Sequence, residues 1–145
     1  MDSTQRRQPE APRRKYSDDE VLDIYKLGKL WLETGQYKRA ESIMSGLNEV
    51  ASDFAPAWLG TAYLRSISGN YDGAILAVNN ALRLEPESSE AMLYLVAFSM
   101  TVGDVSTAGT YLGEVGDAIE QGKVLNQNVI RFHKMQLARY QARGK

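Results

Sequence analysis

The residues best suited to acid-base chemistry or metal binding are few in this chain. There is no cysteine and only one histidine, His133, so catalytic triads and thiolate metal sites lack their usual members. His133 lies in a basic C-terminal stretch with no acidic neighbour in sequence that could orient its ring. This setting favours an ordinary surface or half-buried histidine over a catalytic one.

Two further patterns resemble functional motifs but are better explained by helix structure. The four acidic residues within 18–23 follow Ser17 at a predicted helix start, where acidic side chains interact favourably with the helix dipole. The glycines do not form the Gly-x-x-x-x-Gly-Lys-Ser/Thr pattern of a phosphate-binding loop. We therefore expect no catalytic residue, no metal site and no cofactor, and we predict that the protein is not an enzyme.

The strongest pattern is a repeat with a period of 34 residues, which is typical of helical repeat proteins. Each unit is predicted to be a helix, a tight glycine turn and an antiparallel helix, because glycine accepts the left-handed backbone that ends a helix. A small alanine in the second helix allows the two helices to approach closely. The equivalent positions are Gly35, Gly69 and Gly103 in the turns, and Ala40, Ala74 and Ala108 at the helix crossings.

Charge divides the chain into an acidic body and two basic ends. Residues 1–15 carry a net charge of +3, residues 16–122 carry −10, and residues 123–145 carry +6. We predict that 1–15 is disordered, because it contains two prolines and has no large apolar residue besides the initiator methionine. The segment 123–145 is predicted to form a basic helix that caps the last repeat, and a second recognition element is the alternative.

Partners are constrained by the same composition. Basic residues without interleaved aromatics, on a net acidic body, make a poor nucleic-acid surface. The longest apolar segment, 91–100, is about half the length of a membrane-spanning helix. We expect neither nucleic-acid binding nor membrane insertion, and a cytoplasmic location.

Several residues within 21–122 resemble the tetratricopeptide repeat family, whose pattern runs Trp, Leu-Gly, Tyr, Ala, an aromatic residue and Pro. No single unit carries the complete pattern. The resemblance implies an all-α fold of three helix-turn-helix units, at about 21–54, 55–88 and 89–122, that form a right-handed superhelix. The matching residues are Leu27, Gly28, Trp58, Pro86, Leu95 and Ala108.

A narrower resemblance is to the class II chaperones of bacterial type III secretion, on the segments 58–63 and 69–75 in a small, cysteine-free chain of three repeats. Members of that family hold an extended segment of a secreted translocator in a concave groove. The present chain differs in lacking the longer N-terminal helical region that is linked there to dimerisation. A homo-oligomer is compatible with the sequence.

The resemblance implies a groove lined by the first helix of each repeat. It would bind an extended peptide or a partner helix, as in a type III secretion chaperone or adaptor. Two alternatives stay open: the same residues could be buried against the C-terminal helix or a second copy, or the protein could be a scaffold subunit whose groove is permanently filled. The predicted groove residues are Tyr25, Lys26, Lys29, Leu59, Gly60, Tyr63, Ile67, Leu93, Tyr94 and Ala97.

Overall fold

Seven α-helices follow one another through residues 15–143, the part of the chain that this computed structural model describes. No strand occurs within these residues, which confirms the predicted all-α fold class. The predicted disordered segment lies outside them apart from Lys15. The division into three units and two terminal segments stays a prediction. The helices are α1 (Asp18–Glu33), α2 (Tyr37–Val50), α3 (Ala55–Ile67), α4 (Tyr71–Leu84), α5 (Ser89–Thr101), α6 (Val105–Glu120) and α7 (Gln127–Arg143).

The helix ends follow from local sequence signals. Ser17 and Glu20 form a capping box at the predicted helix start: the Glu20 amide donates to the Ser17 hydroxyl at 3.2 Å, and the Ser17 amide donates to the Glu20 carboxylate at 2.8 Å. Gly35, Gly69 and Gly103 have φ angles of 78°, 82° and 91°. They provide the left-handed turn between the two helices of each pair, a backbone conformation that most other residues adopt only with strain.

The core runs through the stack because each helix packs against its neighbours in sequence. The repeated alanines Ala40, Ala74 and Ala108 are fully buried where the paired helices cross. One apolar cluster joins α1, α2 and α3, a second joins α3, α4 and α5, and a third joins α5, α6 and α7. The first helices of the three pairs, α1, α3 and α5, therefore lie side by side.

The C-terminal helix begins later than predicted. The predicted helical segment starts at residue 123, whereas α7 begins at Gln127. The Asn126 side chain explains the difference, since its oxygen accepts hydrogen bonds from the amides of Asn128 at 2.8 Å and Val129 at 3.3 Å. Helix α7 packs against both α5 and α6. It thus covers one edge of the last helix pair.

Two glycines within helices should respond oppositely to alanine. A Cβ atom on Gly28 would lie 2.6 Å from the Cγ2 atom of Ile43, a stiff branched side chain, so Gly28→Ala should lower the free energy of unfolding by about 1–2 kcal/mol. A Cβ atom on Gly113 would meet no atom within 4 Å, so Gly113→Ala should raise it by about 1 kcal/mol through helix propensity. Urea unfolding of both variants tests this, and equal effects would contradict the α1–α2 packing.

Candidate peptide-binding groove

Helices α1, α3 and α5 together line a cavity of about 270 Å³ on one side of the stack. The end of α4 and the turn that follows it complete the cavity wall. We call this cavity the tyrosine groove, because a tyrosine from each of the three helices faces it. Its lining includes Tyr25, Leu59, Tyr63 and Tyr94, with Glu33, Glu85 and Glu90 among the charged residues.

Aromatic contacts hold two of the three groove tyrosines, Tyr25 and Tyr94, in place. The rings of Tyr25 and Phe54 meet edge to face with their centroids 5.4 Å apart. Tyr94 stacks on Phe98 at 5.9 Å and meets Phe132 of α7 edge to face at 5.6 Å. Aromatic pairs in these geometries are favourable beyond their buried area. The groove walls are therefore largely preformed, and α7 borders the groove at its α5 side.

Acidic side chains act on the groove tyrosines. Burial, followed by the charges of Glu90 and Glu33, raises the pKa of Tyr25. Burial, followed by the charge of Glu90 and by Tyr25 and Tyr63, raises the pKa of Tyr94 to about 12. The carboxylates of Glu33 and Glu90 thus lie within electrostatic range of the same phenol. Tyr25 and Tyr94 therefore stay neutral at physiological pH.

The pKa of Tyr94 predicts a loss of stability in alkali. Its folded value of about 12 exceeds the usual 10.0, so the neutral phenol stabilises the fold below pH 10 and this stabilisation is lost as the pH rises through about 12. Between about pH 9 and about pH 11.5, the free energy of unfolding measured in urea should fall as the pH rises. This fall should be smaller in Tyr94→Phe than in wild type, by up to about 2 kcal/mol. Tyr37→Phe, which changes an exposed tyrosine of α2, is the matched control. Identical profiles for wild type and Tyr94→Phe would contradict the burial of this phenol.

The structure brings six of the ten predicted groove residues together around the cavity. One of them, Gly60, also packs against α2. A Cβ atom there would lie 2.7 Å from the Sδ atom of Met44 in α2. The missing side chain makes room for the packing of α3 on α2. The six residues are Tyr25, Lys29, Leu59, Gly60, Tyr63 and Tyr94.

Two predicted groove residues of α5 lie beside α7 instead. Leu93 is 0% exposed and belongs to the apolar cluster that α7 covers, so its predicted place in the groove is wrong. The carbonyl of Ala97 accepts a hydrogen bond from Nη1 of Arg139 at 3.2 Å, and Nη2 of Arg139 donates to the Thr101 hydroxyl at 2.9 Å. At Leu93 and Ala97, α5 therefore packs against the C-terminal helix, which was one of the alternatives to a groove position.

The remaining two predicted residues lie outside the cavity. Lys26 is exposed on α1 and does not line the groove. Ile67 is 44% exposed and lines a separate depression between α2 and α3, together with Tyr37 and Asn48. Side chains at the end of α3 therefore turn away from the groove.

The predicted groove residues include none of the three acidic residues that line the cavity, Glu33, Glu85 and Glu90. Glu33 lies one helical turn after Lys29, and Glu90 lies one turn before Tyr94. Because residues four apart share a helix face, this spacing could have identified both. Glu85 follows α4 directly, and no periodic signal marks it.

Residues 15–143 lack the features of a metal site and of a membrane span. No group of three or more His, Cys, Asp or Glu side chains there could hold a metal ion. None of the described helices combines the length and the apolar character needed to cross a membrane.

Comparison with known proteins defines the fold and gives one distant relative. No protein-family profile matches the chain. The anaphase-promoting complex subunit cut9 of Schizosaccharomyces pombe is 32% identical over 89 residues, which is 57% of this chain and 13% of cut9. The present chain thus spans only a small part of that relative's length.

Solved structures that resemble this chain cover nearly all of it. PcrH of Pseudomonas aeruginosa, in complex with the chaperone binding region of PopD, has a TM-score of 0.76 and 18% identity, over 91% of this chain and 98% of PcrH. The type III secretion chaperone SycD of Yersinia enterocolitica, in complex with a peptide of the translocator YopD, has a TM-score of 0.72 and 16% identity, over 91% and 100%. The chain therefore has the all-α repeat superhelix of these chaperones, as predicted.

Proposed function

We propose that this protein is a non-enzymatic binding protein that holds an extended segment of another protein in the tyrosine groove. In its most specific form, the proposal is that of a type III secretion chaperone or adaptor, acting in the bacterial cytoplasm on a translocator before export. The observation that carries the proposal is the preformed groove lined by three neighbouring helices. This groove lies in a fold that the chain shares with PcrH and SycD, whose structures contain segments of PopD and YopD.

The groove chemistry suits an extended chain better than a small polar substrate. Tyr25, Leu59, Tyr63 and Tyr94 offer apolar surface for side chains, and the phenol hydroxyls can donate to or accept from a peptide backbone. Tyr63 is 39% exposed, so a segment could cover it without opening the core. Burial of apolar surface contributes about 25 cal/mol per Å² before the cost of ordering the segment.

Helix α7 sets the extent of the proposed binding surface. Phe132 packs on Tyr94, and Arg139 is hydrogen-bonded to the Ala97 carbonyl. A bound segment would therefore contact α1, α3 and the first half of α5, and α7 would remain in place. The groove would then be open to an external partner, in contrast to a groove filled by the chain's own C-terminal helix.

Hydrogen exchange on a purified complex tests this function. Co-purification from the native cells followed by mass spectrometry would identify the partner. Hydrogen exchange with and without that partner should then show added protection in α1, α3 and the first half of α5, because their side chains form the groove. Helices α2 and α4 serve as the internal control and should change little. Protection confined to α2, α4 or the outer face of α7 would refute the proposal.

A further inference from the structure

The tyrosine groove carries an excess of negative charge that no ion pair within residues 15–143 neutralises. Its lining contains the carboxylates of Glu33, Glu85 and Glu90 and a single cation, Lys29. Within residues 15–143, none of these three carboxylates forms a hydrogen bond or an ion pair. Lys29 lies one turn before Glu33 on α1, yet no ion pair joins them. Glu33, Glu85 and Glu90 are exposed and hydrated in the free protein, so an apolar occupant that covered them would remove this hydration without replacing it.

Two of the carboxylates line the same cavity as one aromatic side chain and act on it electrostatically. Glu33 is on α1 and Glu90 is at the start of α5, and the charges of both reach the phenol of Tyr25. The charge of Glu90 also reaches Tyr94. A cation in a cavity lined by tyrosine rings and carboxylates can lie over a ring face and also pair with a carboxylate. Long basic side chains suit such a setting, since their apolar stems pack on rings while their charged heads reach acidic groups.

We propose that the segment bound in the tyrosine groove carries a lysine or arginine whose stem lies against Tyr25 and whose charged head lies between Glu33 and Glu90. This inference rests on the proposed function and adds the chemistry of the partner to it. The partner is thus an apolar extended segment with a basic residue, and an acidic segment would be rejected by charge repulsion.

The proposal can be tested with a phage-displayed library of short random peptides selected on the full-length protein. We expect the peptides retained by wild type to be enriched in lysine or arginine next to apolar residues. The double variant Glu33→Gln/Glu90→Gln should bind such a peptide about tenfold more weakly. The matched control is Glu49→Gln/Glu114→Gln, which changes two exposed carboxylates that do not line the groove, and it should retain wild-type affinity.

A double-mutant cycle isolates the contact itself. Replacing the basic residue of a selected peptide by norleucine should weaken binding to wild type by about tenfold and leave binding to the Glu33→Gln/Glu90→Gln variant nearly unchanged. Equal losses for both proteins would overturn the inference. Selected peptides that contain lysine and arginine only at the library frequency would also overturn it.

Further outcomes separate this inference from the proposed function. Peptides that lose affinity for Tyr63→Glu but not for Glu33→Gln/Glu90→Gln would overturn the inference and leave the groove function standing. Peptides that bind Tyr63→Glu as tightly as they bind wild type would contradict both the groove function and the inference.

The chain's own basic residues are another possible source of the cation in the groove. If neutral peptides bind only after Arg6, Arg7, Arg13 and Arg14 are changed to serine, the cation comes from this chain and the inference about the partner is wrong.

Discussion

Leu93→Glu is expected to lower the free energy of unfolding by about 4 kcal/mol or more, the largest stability effect anticipated for a single change in this protein. Leu93 is 0% exposed and lies among apolar side chains of α5, α6 and α7. A carboxylate there would be buried without a partner, which is costly even if its pKa rises and it becomes protonated. Urea unfolding followed by circular dichroism measures the effect.

The matched control for this change is Leu125→Glu, because Leu125 is 79% exposed and lies between α6 and α7. It should unfold at the wild-type urea concentration. If Leu93→Glu were as stable as this control, Leu93 would have to reach solvent. That result would restore the groove position predicted from its spacing in the repeat.

Tyr63→Glu is expected to weaken partner binding by about 30-fold or more while the stability of the free protein stays close to that of wild type. Tyr63 is 39% exposed, so a glutamate can remain hydrated in the free protein. In the complex the new carboxylate would be covered, unpaired and in the same groove as Glu90. Loss of a central aromatic anchor typically costs about 2 kcal/mol or more of binding free energy.

The affinity of the co-purified partner for each variant can be measured by isothermal titration calorimetry. Leu76→Glu is the matched control, since Leu76 is 64% exposed on α4 and lies outside the groove. It should bind like wild type. Wild-type affinity of Tyr63→Glu with an intact fold would mean that the partner binds elsewhere on the protein.

The helices could be predicted from the sequence because their signals are local. The 34-residue period predicted pairs of antiparallel helices with turns at Gly35, Gly69 and Gly103, and the structure has a helix pair around each of these glycines. These signals act through backbone conformation and the nearest helix, so they need no knowledge of distant packing. The start of α7 was less accurate because it depends on a single side chain, Asn126.

The groove could be predicted only in part, because repeat equivalence ignores whatever packs on the last repeat. Leu59 and Leu93 are equivalent by the 34-residue spacing, yet Leu59 lines the groove and Leu93 is buried where α7 covers α5. The position of α7 arises from long-range contacts such as Phe132 on Tyr94 and Arg139 on Ala97. No periodicity in the sequence encodes them.

The roles of two helical glycines also could not be predicted from the sequence, because they depend on contacts with a neighbouring helix. Gly28 and Gly60 are both inside helices, and sequence gives no direction for the side chain that each lacks. In the structure the absent side chain of Gly60 accommodates Met44, and that of Gly28 accommodates Ile43. Both glycines therefore serve helix packing, and the space in the groove comes from the arrangement of α1, α3 and α5.

Site-specific photo-cross-linking in the native cells tests most directly whether the tyrosine groove holds a segment of another protein. Benzoylphenylalanine at position 63 preserves an aromatic side chain in the groove, and the same residue at position 76 samples the exposed surface of α4. We predict that position 63 cross-links to one apolar, extended stretch of a single partner protein, and that position 76 does not. Cross-links from position 63 that are no more frequent than those from position 76, or that reach only peptides of this chain, would contradict the groove as a partner-binding site.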